Sequence, residues 1–154
     1  KQKTKNASRL RIGSKEMCED LIKLGCFPAK SLTIKYPAFL TKRHQQTWFL
    51  RGVFEGDGHI FIRKSGKSAV ASIASGSQVF LFGVQSFLAN EFDIKTSISK
   101  YHLNVLGGIK EVKRFMDVLY LNASPECRMD RKYNIYLELK KACAALEAKK
   151  TGQM

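Results

Sequence analysis

Two acidic residues, Glu55 and Asp57, stand among glycines in the stretch GVFEGDG, which runs from residue 52 to residue 58. The apolar residues before them predict a helix, and the alternation of residue types after Gly58 predicts a strand. Side chains two apart on a helix do not face each other, so these carboxylates do not form a catalytic pair on their own. A second carboxylate has to come from elsewhere if Asp57 is to share a divalent cation.

Gly52 and Gly56 are four residues apart and therefore lie on one face of the predicted helix. The absence of side chains permits a second helix to approach this face closely. Two such helices would bring two copies of Asp57 together, and paired carboxylates hold hard cations such as Mg²⁺. We also expect Gly56 and Gly58 to let the backbone turn sharply at the helix end. The alternative is that Asp57-Gly58 is only a turn and that Glu55 is solvated.

The elements that position this stretch follow from periodicity and capping residues. Ser14 caps a helix that ends at Gly25, and a loop with a short extended piece over 32–34 follows. After Gly58 the sequence predicts a hairpin over 59–75, a helix capped by Ser77, a second hairpin over 96–105 and two further helices. The order from Phe49 onward is αββαββα, an α+β arrangement. The stripe expected to be buried on the helix after Ser77 consists of Val79, Phe82, Val84, Phe87 and Leu88.

The chain contains an apparent internal repeat. Residues 13–17 match residues 108–112, and in that register the apolar stripes of the two helices coincide. Each helix follows a strand-like run, over 9–12 and over 102–105 respectively. We expect residues 1–47 to be the trailing part of a first repeat and residues 48–154 to be a complete repeat. Chance similarity between two short helices is the alternative.

Charge points to a polyanionic partner. The chain has 27 Lys and Arg against 13 Asp and Glu, a net charge of +14, which favours nucleic acid. No apolar run is long enough for a membrane span and no signal-peptide pattern opens the chain, so we expect an intracellular protein, cytoplasmic or organellar, with no membrane partner. The four cysteines form no CxxC pair, which predicts reduced thiols and no zinc site. Residue 1 is Lys, and we expect the chain to begin partway through a longer protein.

The residues from Leu50 to Gly58 resemble, position by position, the signature helix of the LAGLIDADG homing endonucleases. The resemblance extends to the αββαββα order, to the lysine at the start of the helix near Lys110 and to the run 130–133 that opens the last helix. The segment from Ser14 to Gly25 is similar to one that precedes a second motif in two-motif members.

The resemblance implies a saddle-shaped antiparallel sheet on double-stranded DNA, with signature helices packed at a two-fold or pseudo-two-fold axis. It implies metal-dependent hydrolysis of one phosphodiester on each strand, which leaves 3′ overhangs, with Mg²⁺ or another divalent cation as cofactor. Asp57 matches the metal-binding acid, and Glu55 matches a position that supports the helix end. Lys110 matches a catalytic basic residue near the scissile phosphate, and the repeat makes Lys15 its counterpart. The alternative for Lys110 is a solvated lysine at a helix start.

One departure from the two-motif pattern concerns partners. The chain carries a single signature helix, so the second motif has to come from a missing N-terminal segment or from a homodimer partner that packs through Gly52 and Gly56. Loss of activity is the third alternative.

Strand alternation predicts which side chains read DNA. With Ile60, Ile62 and Ile98 facing inward, the side chains that face outward are His59, Phe61, Arg63, Ser97 and Ser99. Arg63 suits guanine, and the residues expected at phosphates are Lys64, Lys67, Lys95 and Lys100. The alternative is that these side chains are polar only because strand faces in water usually are.

Two other functional classes remain open. A non-catalytic nucleic-acid-binding protein, such as an intron maturase or a transcription regulator of the same fold, would keep the scaffold without cleavage. A structural basic protein such as a ribosomal component would fit the charge but leave the glycine-flanked acids unexplained. The sequence predicts neither the target site nor an origin in an intron or an intein.

Overall fold

The computed structural model describes residues 11–151 of this chain. The helices in this range are α1 (Lys15–Lys23), α2 (Arg43–Asp57), α3 (Gln78–Phe92), α4 (Gly108–Tyr120) and α5 (Asp130–Thr151). The strands are β1 (Gly58–Ile62), β2 (Ala69–Ala74), β3 (Thr96–Ser99) and β4 (His102–Val105). The α+β class and the αββαββα order from α2 onward are therefore confirmed.

The four strands form one antiparallel sheet in the order β1-β2-β4-β3. Alternate residues face two different environments, because side chains of a strand point to opposite faces in turn. Ile60, Ile73 and Leu103 are buried on the inner face, which packs against the helices. The outer face carries exposed side chains such as His59 and His102, so one side of the sheet is open. Within residues 11–151, no helix is long and apolar enough to cross a membrane.

Helix α2 packs against both the sheet and α4, and it buries only one side. Leu50 and Phe54 are buried, and the ring of Phe54 meets that of Phe115 edge-on with centroids 5.5 Å apart. α2 begins at Arg43, well before the expected Phe49, so the predicted domain boundary between residues 47 and 48 falls inside this helix.

The prediction of a sharp backbone turn at Gly56 and Gly58 was wrong. Gly58 adopts the extended angles φ −83° and ψ 148°, and Gly56 is an ordinary helical residue. Gly58 is instead required by close packing, because a Cβ there would overlap the ring and the carbonyl of Phe54. The chain therefore passes from α2 into β1 without an intervening loop.

The segment before α2 is fastened to the start of α3. The expected extended piece over 32–34 was wrong, since Lys30–Leu32 forms a 3₁₀ turn whose hydrogen bonds curl the chain. Ser77 caps α3 as predicted by accepting from Phe80 N–H, and its hydroxyl donates to the carbonyl of Ile34 at 2.6 Å. Tyr36 then stacks on Phe87 with centroids 6.1 Å apart. This contact needs Gly83, where a Cβ would overlap the Cβ of Tyr36.

The predicted apolar stripe of α3 was partly wrong. Val79 and Phe82 are 58% and 53% exposed, whereas Phe80 and Leu81 are buried. The prediction placed the stripe one residue out of phase in the first turns. The helix is apolar on most of its surface, so periodicity alone does not select the buried face.

The internal repeat stays a prediction. α1 has the expected Ser14 cap, and Gly25 follows its end with a φ of +87°. No residue of α1 is buried, whereas the matching positions on α4, such as Met116 and Leu119, are fully buried. Arg9 and Leu10 of the expected preceding strand lie outside the described residues.

Several cations serve the fold by binding carbonyls at helix ends, where backbone acceptors lack partners. Arg43 and Arg114 donate to the last turn of α3, at the carbonyls of Glu91 and Phe92, each at 2.9 Å. Arg51 donates to the carbonyl of Leu119 near the end of α4 at 2.6 Å. Part of the chain's positive charge is therefore bound to helix ends of the same chain.

Candidate functional site

Asp57 is the last residue of α2, and its side chain is exposed where α2 meets β1. It borders a groove of about 610 Å³. One wall comes from the face of α2 that carries Val53, and another from the segment before α2 with Lys30. Tyr101, in the turn between β3 and β4, also lines the groove. The carboxylate is therefore accessible to a charged ligand.

The glycine face of α2 is open. A Cβ added at Gly52 or Gly56 would meet no atom within 4 Å. Apolar side chains border this strip, because Trp48 is 59% exposed and Val53 is half-buried. The face thus combines the shape and the apolar character that allow a second helix to pack closely, and it ends at the carboxylate of Asp57.

Glu55, unlike Asp57, is buried and hydrogen-bonded within the protein. It is only 9% exposed, and its Oε1 accepts a hydrogen bond from the hydroxyl of buried Tyr120. Its Oε2 is buried without a hydrogen-bond partner among the described residues. Burial raises the pKa of Tyr120 first, and the bond to the Glu55 carboxylate raises it further. Glu55 therefore joins α2 to α4, in agreement with the expected supporting role at this position.

The sequence reading missed the main contact at the tip of α2. Lys132, in the first turn of α5, is 1% exposed. Its Nζ donates to the carbonyl of Phe54 and, at 3.0 Å, to that of Glu55. Burial lowers the pKa of Lys132 and the neighbouring Arg131 lowers it further, while Glu55 and Asp57 act in the opposite direction. The only sequence signal was its place in the run 130–133 that opens the last helix.

The described residues offer few side chains that could bind a metal at the tip of α2. Among residues 11–151, no group of three His, Cys, Asp or Glu side chains could hold a metal ion. Asp57 provides one exposed carboxylate, and Mg²⁺ often binds proteins through only one or two carboxylates, with water and substrate phosphate completing its shell. The residue fits a shared site with a second carboxylate, and by itself it is one ligand.

The structure does not bring the two expected catalytic lysines to Asp57. Lys110 lies in the first turn of α4 and pairs with Glu147 at 3.0 Å. It is the end of this helix at Tyr120 that contacts α2, and ten helical residues separate the two positions by about 15 Å. Lys15 lies on exposed α1, 3.8 Å from Glu19. Their catalytic role stays a prediction for which this geometry gives no support.

The expected DNA-reading side chains lie on the outer face of the sheet. His59, Phe61 and Arg63 are exposed, while Ile60 is buried on the inner face. On β3, Ser99 is exposed and Ser97 is half-buried. The alternation used to assign the faces is confirmed, whereas contact with DNA stays a prediction.

The expected phosphate-binding lysines divide between the two ends of the sheet. Lys100 is exposed in the β3–β4 turn, next to Tyr101, whose carbonyl accepts from Ser75 at the Asp57 end of β2. The lysines at the far end are Lys64, Lys67 and Lys95. This distribution places exposed cations at both ends of the open face.

The strand register also reveals outer-face residues that the sequence reading missed. Asn104 and His102 of β4 lie on this face, because Leu103 and Val105 between and after them are buried. Ser72 of β2 lies between His59 and Asn104. The alternation in the sequence of β4 was the signal that could have found the first two residues.

Comparison with known proteins gives one match. Residues 44–117 match the family model of a LAGLIDADG-like domain. No curated protein and no solved structure gives a significant match. The matched region contains nearly all of α2, with Gly52, Gly56 and Asp57, the whole sheet and most of α4. Residues 44–117 are therefore a LAGLIDADG-like domain, and the resemblance seen in the sequence is confirmed for this part of the chain.

Proposed function

We propose that this chain is a sequence-specific homing endonuclease that hydrolyses phosphodiesters of double-stranded DNA with the help of a divalent cation. The LAGLIDADG family contains homing endonucleases and related maturases. The observation that carries the proposal is the exposed carboxylate of Asp57 at the end of an open, glycine-lined helix face, beside an open sheet.

Asp57 would be the metal ligand that this chain contributes. Mg²⁺ held between two such carboxylates would activate water and stabilise negative charge at the scissile phosphate. Lys132 has a supporting part, because its bonds to the last turn of α2 fix the position of the neighbouring Asp57. Arg131, exposed at the start of α5, adds positive charge near the same tip.

The second carboxylate would come from another LAGLIDADG helix packed on the face of Gly52 and Gly56. That helix belongs either to a second copy of this chain or to a further segment of the same polypeptide. The open face supports both arrangements, because helices with small residues four apart pack at short distance. LAGLIDADG domains often pair as dimers. Light scattering after size-exclusion chromatography measures which arrangement applies.

Duplex DNA would lie on the outer face of the sheet, with its cleavage position near Asp57. The side chains offered to base edges include His59, Phe61 and Arg63, and exposed lysines at both ends would neutralise phosphates. Since each phosphate contact releases counterions, we expect log affinity to fall linearly and steeply with log salt concentration.

Metal-dependent nicking of a library of random duplex sites tests this function. The wild-type chain should nick selected sites with Mg²⁺, and Asp57→Asn should remove cleavage while it keeps the fold and DNA binding. Asp93→Asn is a matched control, because Asp93 is an exposed aspartate at the end of α3 in a different part of the surface. Nicking that persists in Asp57→Asn would show that Asp57 is not a metal ligand required for cleavage.

The second candidate is non-catalytic nucleic-acid binding, as in a maturase or a transcription regulator of this fold. One observation favours it: a single chain contributes only one exposed carboxylate, Asp57, to the tip of α2. DNA binding by the outer face of the sheet does not require this carboxylate. A strict monomer that binds specific duplexes and never nicks them would support this candidate over the nuclease.

A further inference from the structure

One row of side chains crosses all four strands on the outer face of the sheet. His59 of β1 pairs with Ser72 of β2, Ser72 pairs with Asn104 of β4, and Asn104 pairs with Ser97 of β3. Neighbouring strands are roughly 4.8 Å apart, so the row spans about 14 Å. It is wide enough to present several side chains to the edges of successive bases.

Asn104 occupies the second of the two central strands in this row. Its side chain is half-exposed, and the flanking residues Leu103 and Val105 are buried on the other face. No side-chain hydrogen bond within residues 11–151 uses its amide. The amide therefore has a free acceptor and free donors at the middle of the open surface.

The chemistry of the row singles out this residue. A carboxamide pairs its oxygen and its NH₂ group with N6 and N7 of adenine in the major groove, and this bidentate pattern rejects the other bases. Ser72 is buried at 8% exposure, and the hydroxyl of Ser97 can bond to several base edges and discriminates little. Asn104 is thus the member of the row with a matched base.

We infer that Asn104 determines sequence specificity by reading one adenine of the target duplex. The inference rests on the proposed function, in which DNA lies on the outer face. It also predicts where the adenine lies. The row of Asn104 is nearer to Asp57 than the next outer-face row, which pairs Phe61 with Val70. The adenine should therefore lie closer to the cleavage position than the bases that face Phe61.

Selection of bound sites from a random duplex pool tests the inference without cleavage. The purified full chain selects duplexes in buffer without divalent cation, and competition titrations then compare all four base pairs at each selected position. We expect the wild type to prefer adenine at one position by roughly 5- to 150-fold. Asn104→Ala should bring that ratio close to one and leave the other positions unchanged, and Asn104→Asp should move the preference toward cytosine. Ser97→Ala, in the same row, should keep the adenine preference.

Each outcome is decisive. An unchanged motif in both Asn104 variants would overturn the assignment, and so would a uniform loss of preference at all positions in both, since that would mean a structural role. Thermal melting of each variant identifies an unfolded protein, and Asn104→Asp, with the same shape, covers a failure of Asn104→Ala to fold. If the wild type itself binds no duplex, the proposed function fails and the inference falls with it, which is a different result from an insensitive motif.

Discussion

Replacement of Lys132 by Met tests the reason for a fully buried lysine beneath the tip of α2. Met keeps the length and the apolar stem of the side chain but removes the Nζ donor. The carbonyl of Phe54 keeps a second donor, the backbone N–H of Gly58. The carbonyl of Glu55 lies in the last turn of the helix, where an intrahelical partner is absent. The substitution therefore leaves the carbonyl of Glu55 without its donor and removes a cation near the buried Glu55 carboxylate.

The size of the effect follows from these losses. A hydrogen bond from a charged donor contributes roughly 1.5–3 kcal/mol, and the removal of one partner from a buried charged cluster costs about 3–5 kcal/mol. Burial of the charged ammonium is itself unfavourable, as the lowered pKa of Lys132 indicates. Removal of the charge therefore offsets part of these two costs. We expect the free energy of unfolding to fall by about 3 kcal/mol, which is a loss of roughly 6–12 °C in Tm for a chain of this size.

Urea denaturation followed by circular dichroism measures the change. Lys141→Met is the control, because Lys141 is exposed on the same helix, and its unfolding free energy should stay within about 0.5 kcal/mol of wild type. A Lys132→Met protein as stable as wild type, or more stable, would refute the reasoning, since the cost of burying the charge would then exceed what its hydrogen bonds return.

The pH dependence of the same pair of proteins gives a second check. Because the pKa of Lys132 is lowered in the fold, the unfolded chain binds its proton more tightly. Wild-type stability should therefore rise with pH from the lowered pKa up to the ordinary lysine value of about 10.4. Lys132→Met should lack this rise.

Three further substitutions probe other contacts. Tyr120→Phe should cost about 1–3 kcal/mol at neutral pH by leaving the carboxylate of Glu55 unpaired, and it should flatten the loss of stability that the raised pKa of Tyr120 predicts above pH ~10 in urea titrations; equal curves for both proteins would contradict this. Gly83→Ala should gain about 1 kcal/mol of helix propensity but lose more by displacing Tyr36, a net fall of roughly 1–2 kcal/mol in thermal melts; a higher Tm would show that the loop moves aside freely. Gly56→Leu should leave the monomer's Tm almost unchanged, because the new side chain meets open space, and should abolish association in light scattering; dimers that persist would exclude this face as their interface.

Local signals predicted the parts of the fold that depend on local physics. Ser14 and Ser77 cap their helices as expected, because a cap involves only a hydroxyl and an N–H three residues later. The prediction of which side chains of β1 face inward was correct, because buried Ile60 alternates with exposed His59 and Phe61. On α3, where Val79 and Phe82 are as apolar as the buried residues, the same method failed.

The tip of α2 could not be derived in the same way. Lys132 and Glu55 are 77 residues apart in sequence, so no local pattern shows that this lysine at a helix start is buried. The catalytic role of Lys110 came from the family resemblance; Lys110 pairs with Glu147 in the structure, and the role stays a prediction. The sequence reading also missed Asn104, whose strand was recognised but whose alternation was not carried through.

The hydroxyl of Ser77 has a consequence for how this domain is delimited. It accepts from α3 and donates to Ile34, so the first turn of a central helix is tied to a residue that precedes the family match at 44–117. Tyr36 completes the fastening over Gly83. The family match begins at residue 44, whereas the packed domain extends back at least to Ile34. A version of the domain that begins at residue 44 would lack Ile34 and Tyr36. The hydroxyl of Ser77 would then lose its acceptor, and the ring of Phe87 would lose its partner Tyr36.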